Sequence, residues 1–159
     1  MLQVRRRKRK PCDPNDKDYM LRYILGLLKR RPYPIYELRE KLLRKGCNQQ
    51  AVDDIMVKLK ELISMEDLDR DFLEALYLGA VRKGKGPNWF RKRALSAGVP
   101  EDKVDFYIYN LNWNDALYEC IRRGKMRYKD DLYKIKEYMY RNGFDNSFWD
   151  LAQDMMKEG

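Results

Sequence analysis

The residues of this chain with the densest chemical potential are four carboxylates, Glu66, Asp67, Asp69 and Asp71, crowded into one short stretch. Carboxylates so grouped can hold a divalent metal, and a metal held that way can activate water against a phosphodiester. A local explanation competes: acidic side chains at a helix start accept hydrogen bonds from exposed backbone N–H groups and oppose the helix dipole. These four stand where a helical stretch begins, so capping is the preferred reading, and Asp69 is expected to cap the helix that carries Phe72.

The remaining inventory also argues against catalysis. The chain has no histidine, which removes the commonest general base and the commonest metal ligand. Its three cysteines, Cys12, Cys47 and Cys120, are odd in number and far apart, so neither a disulfide framework nor a zinc site follows; buried thiols in a reducing compartment do. Lys83-Gly84-Lys85-Gly86-Pro87 is glycine-rich but lacks the Lys-Ser or Lys-Thr that completes a nucleotide-binding loop. No catalytic residue, metal or cofactor is expected. With no apolar run of membrane-spanning length and a charged N-terminus in place of a secretory leader, the expected setting is the cytoplasm.

Charge points to binding. Lys and Arg total 34 against 25 Asp and Glu, a net charge of +9, which favours a polyanion or an acidic protein face. Six consecutive basic residues, Arg5 to Lys10, precede Pro11 and Pro14 and repel one another, so residues 1–15 are expected to form a disordered basic arm.

The elements that must position the remaining charges are helices. From Asp16 onward the apolar spacing is helical, with breaks at Pro32 to Pro34, Gly46, Gly84 to Pro87, Gly98, Gly124 and Gly143 and no alternating strand pattern. Moving along the chain by 52 residues and then by 45 superposes Gly46 on Gly98 on Gly143. Leu38, Phe90 and Ile135 then coincide, as do Leu42, Ala94 and Met139, then Val52, Val104 and Trp149, then Leu59, Leu111 and Met156. These spacings make one buried stripe on each of two helices flanking a glycine C-cap, and a further helix in each unit carries Met20, Ile24 and their counterparts Phe72 and Leu76. The fold class is therefore all-α: three tandem three-helix repeats over 16–65, 66–112 and 113–159, stacked as an elongated, curved array.

Charge keeps the same period. Stretches 29–45, 82–93 and 122–142 hold 21 basic residues against 5 acidic, whereas 46–81, 94–121 and 143–159 hold 5 against 17. Stacking would gather each set onto a face of its own.

Three blocks carry a resemblance. Tyr36-Glu37-Leu38-Arg39 leads to Leu42-Leu43-Arg44-Lys45-Gly46; Asp69 and Phe72 are followed by Lys83 to Pro87 and Phe90-Arg91; Lys134-Ile135-Lys136 leads to Tyr140-Arg141-Asn142-Gly143-Phe144. In this order the blocks resemble the three repeat signatures of the RecX family, bacterial regulators of the RecA recombinase, over about residues 18 to 157. Leu68, Trp89, Arg93 and Asn142 depart from the family's usual residues. The resemblance implies a protein that binds the RecA filament on single-stranded DNA, lies along its groove and restrains recombinase and coprotease activity, without a cofactor of its own.

The expected contacts to phosphate or to an acidic partner are Arg82, Lys83, Lys85, Arg91 and Lys92 in the second unit. Arg39, Arg44 and Lys45 in the first and Lys134, Lys136 and Arg141 in the third occupy corresponding places. Trp89 aligns with the polar positions Glu37 and Lys134, which leaves it two placements: projecting among these cations, where it would stack on an unpaired base or fill a partner pocket, or tucked by a local shift into a groove between repeats; Trp149 aligns with Val52 and Val104 and is expected in the core. The alternative is a sequence-neutral single-strand binder that acts without a recombinase. In either case the protein is expected to be a monomer.

Overall fold

The computed structural model describes residues 13–158, so the basic run and Cys12 lie outside the described residues. The chain within them is all helical: α1 (Lys17–Arg30), α2 (Ile35–Arg44), α3 (Gln49–Leu62), α4 (Met65–Lys83), α5 (Pro87–Ser96), α6 (Glu101–Asn110), α7 (Asn114–Tyr128), α8 (Leu132–Arg141), a 3₁₀ turn (Asn146–Phe148) and α9 (Trp149–Glu158). Residues 13–15, assigned above to the arm, form a turn leading into α1, in which Asn15 N–H donates to Asp13 Oδ1 at 2.9 Å.

Helix ends follow local sequence. Asp16 and Asn48 are N-caps whose side chains accept from Tyr19 N–H and Ala51 N–H, supplying partners for amides that a helix cannot satisfy internally. Pro87 opens α5, where the missing N–H costs nothing. The three glycines of the repeat share one geometry. Gly46, Gly98 and Gly143 have φ of +97°, +85° and +97°, a left-handed conformation that side chains rarely adopt. In each case the next residue's N–H reaches back into the preceding helix, Cys47 to Leu42, Val99 to Ala94 and Phe144 to Met139, each at 3.2 Å. Cys47, Val99 and Phe144 are also buried, closing the apolar contact that accompanies this cap.

The interior divides into two cores. Met20, Ile24, Leu38, Leu42, Val52, Ile55 and Leu59 of α1 to α3 pack together with Leu68 of α4. The second core runs from Leu73 to Ala152, so the last six helices share a single interior. The reason lies at the α4–α7 crossing. A Cβ on Gly84 would stand 2.7 Å from the backbone N of Cys120, so glycine lets α7 press against the end of α4.

Trp149 is half-buried rather than fully enclosed, which corrects the core placement expected from the repeat. In the first two units the third helix starts three residues after the glycine, at Gln49 and Glu101; in the third that position opens the 3₁₀ turn. A 3₁₀ turn advances more per residue than an α-helix, which rotates α9 and brings Ala152, fully buried, into the inward position.

Candidate nucleic-acid and protein interface

The second joint between units brings two basic stretches, 82–93 and 122–142, together, and the first gathers cations of the stretch 29–45. At the first, the Tyr36 ring lies over Gly98, where a Cβ would meet Tyr36 Cγ at 2.2 Å. At the second, α5 begins against the α8 turn: Gly86 N–H donates to the Asn142 carbonyl at 2.8 Å and Asn88 N–H to the Gly143 carbonyl at 3.0 Å. Arg31, Lys41 and Arg44 gather around the first joint with Glu37 and Glu40. Around the second stand Arg82, Lys83, Lys85, Arg93 and Arg123, linked by Arg123 Nη2 donating to the Arg82 carbonyl at 3.1 Å.

The expected contact residues divide into two classes. Arg39 pairs with Asp53 at 2.7 Å, and its counterpart Arg91 pairs with Asp105 at 2.9 Å and Glu101 at 2.6 Å. Both bridges tie the second helix of a unit to its third, and the Arg91 guanidinium is held above its usual range chiefly by the Asp105 carboxylate. Lys85 donates to Asn142 Oδ1 at 2.6 Å, Arg141 to the Tyr128 hydroxyl at 3.0 Å, and Lys136 lies over the Trp149 ring at 5.4 Å. These cations are partly committed to the fold. Arg44, Arg82, Lys83, Lys92 and Lys134 are exposed and have no carboxylate partner among the described residues, and Lys45 is exposed with its ammonium 5.0 Å from the Tyr23 ring.

Trp89 does not project freely; of its two expected placements the structure shows the groove between units, not the exposed site among the cations. It is half-buried against the second core, its backbone N would stand 2.6 Å from a Cβ on Gly143, and Lys83 and Arg93 lie over its ring at 5.9 and 5.1 Å. The joint explains the placement: a polar repeat position becomes an inter-unit contact when the next unit's glycine turn lies against it. Arg93 and Arg123 were missed as individual candidates, although both lie within or beside the basic stretches of the charge pattern.

The acidic cluster is also redistributed. Among the described residues no group of His, Cys, Asp and Glu could hold a metal ion. Asp67 and Asp71 both face Arg70, at 3.0 and 3.7 Å. Asp69 does not cap its own helix, whose N-cap is Ser64; it is buried, accepts from Ile35 N–H at 3.0 Å, and receives Lys103 at 3.4 Å. The carboxylate thus supplies the first amide of α2, where Pro34 offers no side-chain cap, and links the first two units. Sequence position could not reveal a cap supplied across 34 residues.

Elsewhere, Glu119 receives Arg122 and Arg123, whose hydrogen bonds hold its carboxyl down to about 2. Burial pushes the Cys120 thiol up to about 12, so it is protonated and unreactive at neutral pH. None of the helices among the described residues is long and apolar enough to cross a membrane.

Comparison with known proteins gives one consistent result. The family model described as RecX, first three-helix domain, matches residues 21–59. The chain is similar to a regulatory protein RecX of Haemophilus influenzae, 28% identical over 145 residues that cover 86% of this chain and 94% of that one. A regulatory protein RecX of Thermotoga maritima is 32% identical over 127 residues, 80% of this chain and 78% of the relative. One from a Geobacillus strain is 28% identical over 118 residues, 68% of this chain and 42% of its own.

Proposed function

The chain belongs to the RecX family, and from that premise we propose that it regulates the RecA recombinase by binding the RecA filament on single-stranded DNA. It acts as a cytoplasmic monomer made of three helical repeats, with no cofactor and no catalytic step of its own. The observation that carries the reading is the set of exposed cations without a carboxylate partner among the described residues, Arg44, Arg82, Lys83, Lys92 and Lys134, which lie on the second helix of each unit or beside it. Exposed cations carried by each successive unit of a helical array, though not at equivalent positions within the units, suit a polyanion that extends along it. Preformed positions also lose less conformational freedom on binding than a flexible arm would.

Lys45 and Arg141 extend this surface, Lys136 and Lys85 border it, and Trp89 supports it from the joint. Arg39 and Arg91 contribute chiefly by holding helix pairs together. Restraint of the filament's ATPase, strand exchange and coprotease activity would follow from occupancy of its groove.

The test is the DNA-dependent ATPase of RecA, titrated with wild-type protein and with a variant carrying Arg82→Glu, Lys83→Glu and Lys92→Glu. These three side chains are exposed and leave the Arg91 and Lys85 linkages intact. The variant should keep its helical content, lose inhibition, and flatten the log-log salt dependence by roughly 0.7 for each lost phosphate contact. Wild-type potency and salt dependence in the variant would remove this surface from the mechanism. Equal affinity for naked single strands and for the filament at physiological salt would favour a recombinase-independent DNA binder.

A further inference from the structure

In the first unit two ion pairs close the seam between the first and third helices, Lys17 to Asp54 at 2.5 Å and Lys58 to Asp18 at 3.1 Å. The 52-residue repeat puts Asp69 and Phe106 at the places of the first pair in the second unit, and Arg70 and Asn110 at the places of the second, so neither bridge can form. Accordingly α1 packs on α3 and α7 on α9, but α4 packs on α5 and α7 and meets α6 only slightly. A groove of about 280 Å³ opens along that seam, with Glu66, Asp67, Asp69, Lys103, Phe106 and Tyr107 among the residues lining it.

The groove combines exposed aromatic rings with an excess of carboxylate. Phe106 is 70% exposed, and Tyr109, one turn further along α6, is 89% exposed. The cations at the groove are already engaged, Lys103 with Asp69 and Arg70 with Asp67 and Asp71. Glu66 in the lining and Asp102, one turn before Phe106, form no ion pair among the described residues, and neither does Glu74. Burial and then the Glu74 carboxylate raise the Tyr107 hydroxyl above its usual range, which puts that third carboxylate beside the groove. A chain of net charge +9 repels polycations as a whole, so only a local surface of this kind can take one.

We propose that this groove receives an arginine side chain from a basic segment of a partner protein. The guanidinium lies against the Phe106 ring, flanked by the carboxylates of Glu66 and Asp102. Arginine suits the site better than lysine because its planar group stacks on a ring while its edge still donates to carboxylates. The chain's own basic run, Arg5 to Lys10, is less well placed. It joins the described residues near Pro14, beside Gly46 at one end of α2, whereas Asp69 holds Ile35 at the other end. A two-fold dimer through the groove would set the same carboxylates against each other. The inference is independent of the filament reading.

Fluorescein-labelled hexa-arginine, titrated with the full chain at moderate salt without RecA or DNA, tests it by anisotropy. The peptide should bind, and hexalysine should bind more weakly. Phe106→Ala should weaken binding about threefold, and Glu66→Gln with Asp102→Asn about tenfold. Asp150→Asn with Asp154→Asn, at two exposed carboxylates of α9, should change nothing. All these side chains are exposed, and an unchanged circular dichroism spectrum separates lost binding from lost fold. No binding of hexa-arginine, no effect of Phe106→Ala, or equal weakening by the α9 pair would overturn the proposal. Binding more than tenfold tighter once Arg5 to Lys10 are all replaced by Ser would assign the groove to the chain's own basic run. A concentration-dependent dimer in sedimentation velocity, abolished by the Glu66 and Asp102 changes, would assign it to a second copy, and either result overturns the proposal equally.

Discussion

The inter-unit joint makes a quantitative prediction through two glycines that share one backbone conformation. Gly46 and Gly143 both have φ of +97°, so replacing either with Ala carries the same left-handed penalty, roughly 1–2 kcal/mol. Their surroundings differ. A Cβ at position 46 meets only Pro14 at 3.7 Å, an ordinary contact, whereas at position 143 it lies 2.6 Å from the Trp89 backbone N. Backbone cannot rotate away as a side-chain tip can, so Gly143→Ala must open the joint and strain or break the two hydrogen bonds from Gly86 N–H and Asn88 N–H. At about 1 kcal/mol net for each bond, the total reaches about 3–4 kcal/mol. All three tryptophans, Trp89, Trp113 and Trp149, belong to the second core or pack against it, so urea unfolding followed by tryptophan fluorescence reads that core while circular dichroism reads the whole chain. Gly143→Ala should lower the fluorescence midpoint strongly; Gly46→Ala should leave it nearly unchanged and shift only the circular dichroism signal, modestly. Equal destabilisation by the two substitutions would refute the close packing of α5 on the α8 turn.

Trp113→Ala, at a position only 6% exposed, should cost about 3–5 kcal/mol in the same assay, more than Trp89→Ala or Trp149→Ala, whose rings are half-buried. Asp69→Ala should destabilise by about 1–2 kcal/mol by removing the cap of α2, with Asp69→Asn restoring much of the loss in urea titrations. Because the Glu119 carboxyl is depressed to about 2, its contribution to stability is present above the ordinary carboxylate range near 4.5 and is lost as pH falls toward 2; Glu119→Gln should therefore narrow the difference between urea midpoints measured at neutral and acid pH. Cys120, with its thiol raised to about 12, should resist alkylation in the folded protein at neutral pH and react on unfolding.

Much of this protein is legible in its sequence because the information is local and repeated. A glycine that ends a helix in the left-handed conformation does so for reasons contained in a few neighbouring residues, and the recurrence of Gly46, Gly98 and Gly143 marks all three turns. The buried stripe through Leu38, Phe90 and Ile135 is equally local, since helical periodicity alone places those residues on one face. Net charge and its phase with the repeat are also properties of the chain itself.

What tertiary structure decided are the contacts whose partners lie far along the chain. Arg39 and Arg91 read as free cations until α3 and α6 bring Asp53 and Asp105 beside them. Asp69 reads as a cap for its own helix until α4 lies against the start of α2. Trp89 aligns with polar residues yet is half-buried, because only the packed array places the Gly143 turn against it. Trp149 aligns with buried valines yet is rotated partly outward by a single 3₁₀ turn. A repeat reports which positions are equivalent within units; the surfaces where units meet depend on what the neighbouring unit presents, and that is determined only when the helices pack.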